Sequence, residues 1–135
     1  MAHEISLLTA PFVAENAMAE KYVVVELGAG AGQVDLPSGN NDKPIGIIQQ
    51  TAVADQSVPV CVAGISKVLA NAAITKDDYL VGVITTGRVA TAPSVSSTWT
   101  GTAASTEHII GIALESAGAA GDIISMLIRP IVIAH

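Results

Sequence analysis

The stretch Val58-Pro59-Val60-Cys61-Val62 places a valine at every second position. A period of two marks a half-buried strand, because successive side chains leave a pleated backbone on opposite faces. Pro59 has no N–H to give to a ladder, which predicts an edge or bulge position for it. Outward from this stretch the same period dominates. Residues 22–27 are a β-branched run ended by Gly28, and residues 44–49, 64–69, 79–84, 88–92, 109–114 and 123–133 are short apolar runs between turn residues. Thr85-Thr86-Gly87 predicts a tight hairpin between two of them. Many short strands joined by Gly- and Asp-bearing turns predict an all-β fold, a small β-barrel or β-tulip-like domain with little or no helix.

The pattern contains an internal echo. Ile45-Gly46-Ile47-Ile48-Gln49-Gln50-Thr51-Ala52 matches Ile110-Gly111-Ile112-Ala113-Leu114-Glu115-Ser116-Ala117. Each copy is followed by a small-residue turn and an alternating strand, through Val58, Val60 and Val62 in one and Ile124, Met126 and Ile128 in the other. The two are read as equivalent hairpins. Gly46 and Gly111 are assigned as structural glycines, placed where another backbone or a bulky side chain approaches closely.

Two stretches lack the period. Residues 10–21 have the composition of a helix, through Ala14, Glu15, Ala17, Met18, Ala19 and Glu20, but the apolar stripe is weak. Residues 1–21 are therefore expected to be an irregular N-terminal arm carrying Phe12, ahead of a barrel domain over 22–135. Residues 91–108 are rich in Ser and Thr around Trp99, and a structureless loop of that length is often a binding loop.

Composition narrows the function classes. The chain has 135 residues, half of them hydrophobic but only 13% charged, against about 25% in an ordinary soluble domain. A surface so poor in charge suits a protein packed against neighbours, since interface cores are depleted of charge. Twelve acidic residues against six basic ones argue against a direct grip on nucleic acid, which needs cations along the phosphates. A single cysteine, Cys61, excludes a disulfide scaffold. No apolar run approaches the length of a membrane helix, and Met1-Ala2-His3-Glu4 does not read as a secretory signal, so a soluble protein with no membrane partner is expected.

One motif suggests an enzyme. Val23-Val24-Val25-Glu26-Leu27-Gly28-Ala29-Gly30-Ala31-Gly32 looks like the strand and glycine turn that lie beneath S-adenosylmethionine in Rossmann-type methyltransferases. That chemistry needs the turn to open a helix. Here Pro37 and Gly39 break any helix within two turns, and a flexible hairpin loop over 28–32 fits better. His3, His108 and His135 show no metal-ligand spacing, Cys61 between two valines reads as a small buried hydrophobe, and Asp77-Asp78 reads as a solvated turn. No catalytic constellation, metal site or cofactor is expected.

The C-terminal unit carries a resemblance. Residues 109–128, from Ile109-Ile110-Gly111-Ile112-Ala113-Leu114-Glu115 through Gly121-Asp122 to Ile128, resemble the ending of the small capsid cement (head decoration) proteins of tailed bacteriophages. That ending is an apolar Gly-[IV]-Ala-Leu-Glu-Ala run, a small-residue turn with Gly-Asp, and a final strand. Pro44-Ile45-Gly46-Ile47, Gly64-Ile65-Ser66-Lys67-Val68 and Gly87-Arg88-Val89-Ala90-Thr91-Ala92 are similar to other segments of the family. The resemblance spans residues 5–133 and departs from the family at Lys76-Asp77-Asp78 and at 91–108.

The resemblance implies a structural virion protein on the outer surface of an icosahedral head, made in the host cytoplasm. Its partners would be the major capsid protein and itself, as homotrimers at three-fold and quasi-three-fold positions that cement capsid subunits against the pressure of packaged DNA. Phe12 and Trp99 are the residues expected to touch capsid or a neighbouring copy, Trp99 because tryptophan is enriched at interface anchors. The alternative is a recognition module for a host receptor or glycan, against which the scarcity of aromatic residues counts.

Overall fold

The computed structural model describes residues 5–38, 43–92 and 106–134, and Trp99, His3 and His135 lie outside the described residues. Among the described residues nine strands make up one continuous sheet: β1 (Ile5–Ala14), β2 (Val24–Leu27), β3 (Gln33–Asp35), β4 (Pro44–Ile48), β5 (Ser57–Leu69), β6 (Tyr79–Gly82), β7 (Val89–Thr91), β8 (Thr106–Ala113) and β9 (Ile123–Ala134). Their order is β1-β3-β2-β4-β5-β9-β8-β6-β7, and a further β1–β5 pairing closes the first five strands into a barrel. The fold is all-β, with no helix among the described residues.

Three expectations change in detail. The stretch expected as an irregular arm carries β1, which pairs antiparallel with β5 from Ile5↔Ile65 to Val13↔Ser57 and parallel with β3 at its end. Its alanines look helical in isolation, but helix propensity is a weak preference that strand pairing on both sides overrides. Among the described residues ahead of β2 only the stretch from Glu15 to Val23 is irregular, and it is pinned by Met18 to Ala52. The runs around Val58–Val62 and Gly64–Leu69 are not two strands but one. β5 passes through Gly64 at φ 101°, where an added Cβ would press on the Ile5 carbonyl oxygen and lie 2.7 Å from the Leu7 nitrogen. Pro59 is not at an edge either: it faces Pro11 of β1, and its carbonyl accepts the Gln49 N–H just where β4 ends. The proline thus removes a ladder donor at a position where the adjoining strand has run out.

The chain is built twice from one pattern, and β5 belongs to both copies. In the first half Met18 and Ala52 exchange backbone hydrogen bonds of 2.8 and 3.0 Å, and in the second Ile74 and Ala117 exchange two of 2.9 Å. Tyr22 N–H donates to Ile48 as Asp77 N–H donates to Ala113, and both donors hold positive φ, 64° and 79°. Val24↔Ile47 and Val25↔Gly46 reappear as Tyr79↔Ile112 and Leu80↔Gly111. Val13↔Ser57 reappears as Leu69↔Ile123, so β5 closes the first half as its last strand and opens the second as its first. Even the turns match. The Gln56 carboxamide accepts the Val53 N–H, and the Asp122 carboxylate accepts the Ala119 N–H. The parallel β1–β3 pairing survives in the second half as the single bridge Ala70↔Val89.

Each half has its own core. Ala14, Met18, Val25, Val34, Ile48, Ala52, Val58 and Val60 fill the first, and Ala70, Ile74, Leu80, Val89, Ala113, Ala117, Ile124 and Met126 take the same places in the second. Ile48 is replaced by the much smaller Ala113, while Val25, Val58 and Val60 are replaced by the larger Leu80, Ile124 and Met126. The exchange keeps volume roughly constant, as close packing requires. The second core also takes in Val24, Ile47 and Cys61, which point outward from the first barrel. Strands β2, β4 and β5 are thus buried on both faces at Val24-Val25, Ile47-Ile48 and Val60-Cys61, which explains the adjacent apolar residues there.

The two glycines of the echo sit at matching close approaches. A Cβ on Gly46 would press on the Cys61 carbonyl oxygen and lie 2.7 Å from Val60 Cγ1. On Gly111 it would press on the Leu127 carbonyl oxygen and lie 2.9 Å from Met126 Cγ.

Candidate functional site

Several acidic side chains are hydrogen-bonded within the fold, mostly to backbone. Asp78 accepts the Thr75 N–H at 3.0 Å and the Thr91 hydroxyl at 2.8 Å, so the acid of the Asp77-Asp78 pair holds a turn to a neighbouring strand. Asp122 accepts from Gly118 and Ala119, Asp35 from Asn16 and from its own neighbour Leu36, and Glu15 from Ala29 at 3.3 Å. Carboxylates held this way staple loops. Among the described residues no three His, Cys, Asp or Glu side chains stand close enough to hold a metal.

The glycine-rich stretch after β2 turns back as a hairpin. Gly28 N–H donates to Gln33 at 2.8 Å, and the returning β3 pairs Asp35 with Glu26 and Val34 with Leu27. No helix starts at this turn, so the backbone N–H fan that a dinucleotide-type site requires is not formed there. Cys61 is fully buried between the two halves, its thiol 3.3 Å from the Ala63 carbonyl oxygen.

Concave surface occurs among the described residues. A shallow groove of about 310 Å³ is lined by Thr9, Ala10, Pro11, Ser57, Val58 and Pro59, none of them charged. A second of about 240 Å³ lies where the halves meet, between Ala17–Val23 and the turn at Thr85 and Thr86. At its rim the Arg88 guanidinium grips Glu20, Nε donating to Oε1 at 3.0 Å and Nη2 to Oε2. That hydrogen bond, with the attraction of the opposite charge, holds the Glu20 carboxyl below the usual carboxylate range against a smaller opposing effect of burial. Tyr22 packs on the second core with Lys21 and Lys67 near its ring, their ammonium nitrogens 5.2 and 5.8 Å from the centroid.

What the surface offers instead is apolar area. Leu7 is 78% exposed and Leu27 62%, and Ile5, Leu8, Val53 and Tyr79 are exposed as well. Sequence reading did not single these out, although Leu7-Leu8 beside each other in a strand already forces one leucine outward. Phe12 stands opposite Val58 and is half-buried against the first core.

The sequence matches no family model and no curated protein. Among solved structures, the fold is similar to that of the N-terminal base of the head fiber gp8.5 of bacteriophage phi29, with a TM-score of 0.63 at 15% identity. The match covers 90% of this chain and 93% of that one, so the likeness includes both halves and is one of whole fold.

Proposed function

We propose that this chain is a structural protein of a tailed-phage virion that sits on the outer surface of the head. The observation that carries the reading is the fold shared along nine-tenths of the chain with the base of a phage head fiber. The charge-poor composition and the exposed apolar residues support it, because both suit a protein that ends its assembly packed on others. In the fuller form of the reading, the chain binds the major capsid protein and its own copies at three-fold and quasi-three-fold positions and cements the shell. Each bridging contact adds binding free energy that must be overcome before capsid subunits separate.

A second reading follows from the same likeness. The neighbour is the base of a fiber, so this chain would serve as a platform that anchors a longer partner to the head. The two readings share the head surface and differ in whether anything is carried on it.

Re-addition tests the proposal. Heads assembled without the protein are mixed with the purified chain, sedimented, and heated. Saturable binding together with a raised disruption temperature is expected, and failure to co-sediment would overturn the head-surface role. Binding without any gain in heat resistance would favour the anchoring platform over the cement.

A further inference from the structure

The same cross-strand row occurs once in each half, and among the described residues only one of the two rows is largely buried. In the first half Val24, Ile47, Cys61 and Thr9 stand in direct register across β2, β4, β5 and β1. In the second half the register places Tyr79, Ile112, Leu127 and Ile65 across β6, β8, β9 and β5, and Ile5 of β1 extends the row. Residues directly opposite each other on paired strands project to the same face, so each row is a band of side chains about 14–19 Å long. Val24, Ile47 and Cys61 are buried and belong to the core of the second half. Tyr79 and Ile5 are exposed, and Ile112, Leu127 and Ile65 are only half-buried.

The β6–β7 hairpin of the second half covers the Val24 end of the first row, while Ile47 and Cys61 are buried in the second core, where β8 and β9 approach β4. Val24 N–H donates to Gly87 at 2.7 Å, and a Cβ on Gly82 would lie 3.0 Å from Val24 Cβ. The counterpart of that hairpin in the first half is β2–β3. Gly32 matches Gly87 in its positive φ, 73° against 71°, and Leu27 stands where Gly82 stands. This hairpin is uncovered: Leu27 is exposed, and nothing lies within 4 Å of a Cβ built on Gly32. The described residues therefore leave one row and one hairpin open, the counterparts of the two parts that meet inside the chain.

From this repeat we infer that a second copy of the chain docks head to tail, the β2–β3 hairpin of one copy lying over the Tyr79 end of the Tyr79–Ile112–Leu127–Ile65–Ile5 row of the next. The contact continues between molecules the packing that joins the halves within one. A head-to-tail contact closes into a ring or runs on as a filament, and a closed ring of three is the form the head role calls for. The inference rests on the repeat and not on head binding, and its test is read in free solution, so either reading can fail without the other.

Sedimentation velocity of the full chain supplies the test. The wild type is expected to sediment as an oligomer, and Leu27→Glu and Tyr79→Glu each as a monomer. Both side chains are exposed, so the circular dichroism of each variant stays that of the wild type. An equal mixture of the two variants should form a dimer and stop there, because one intact row and one intact hairpin remain in the pair. A monomeric wild type, an oligomer that survives either substitution, or a mixture that stays monomeric would overturn the inference.

Discussion

Glu20 and Arg88 tie the two halves of the chain together across a bidentate ion pair, a residue of the irregular β1–β2 link gripping the residue before β7. Two parallel N–H···O contacts fix an Arg–carboxylate pair in orientation as well as distance. The pair closes the rim of the cleft between the halves, on the same side as the contact from Gly87 to Val24.

The pH dependence of stability follows from this pair. Arg88 stays charged throughout, and Glu20 has its carboxyl lowered in the folded state. A lowered carboxylate contributes stability that is full above the unfolded value, about 4.3, and is lost as pH falls through the folded value. Both side chains are partly exposed, so the contribution is held to less than about 1 kcal/mol. Glu20→Gln should lower the melting temperature slightly at neutral pH, and the gap to wild type should close in acid. Melting curves across the acid range check it, and a gap that widens in acid would contradict it.

Gly46→Ala and Gly111→Ala should destabilise the two halves alike, by about 1–3 kcal/mol each, because each new methyl group meets a strand carbonyl that cannot retreat. Gly118→Ala is the control. Its Cβ would meet only Asp122 Oδ2, at an ordinary 3.6 Å, and the change should be nearly neutral. Urea denaturation of the three variants gives the comparison.

Met18→Ala and Ile74→Ala empty matching places in the two cores, and each should lose about 2–5 kcal/mol. The halves share β5, and the second core takes in side chains of the first. Unfolding of either variant should therefore remain a single transition. Separate transitions for the two halves would show that they fold independently.

The Cys61 thiol reports on the same seam. It is fully buried, so a thiol reagent should label it only as fast as the native protein opens. Labelling at the rate of a free thiol would contradict the packing between the halves.

Deletion of residues 1–20 should abolish cooperative unfolding, since it removes β1 and the core side chains Ala14 and Met18. A folded truncated chain would mean the barrel closes without its first strand.

The strands were largely legible because a period of two survives in β-branched residues such as Val58, Val60 and Val62. The repeat was legible only where its residues are distinctive, from Ile45 to Ala52 and from Ile110 to Ala117. Its earlier part, Val13-Ala14 through Val25 against Leu69-Ala70 through Leu80, is written in alanine and polar residues and is offset by a one-residue gap. There the equivalence lives in backbone hydrogen bonds, as between Met18 and Ala52, which small side chains do not advertise. β1 was hidden for the same reason, its strand state fixed by β5 rather than by its own composition. The exposed row at Tyr79 could not be read from sequence, because a row exists only once the register of the strands is known.

The head-surface role is tested most directly by counting copies of this chain per major capsid subunit in purified virions, by quantitative mass spectrometry. The account predicts a ratio near one, constant from particle to particle. Absence of the chain from virions whose capsid protein is present, or a few copies confined to one vertex, would contradict it.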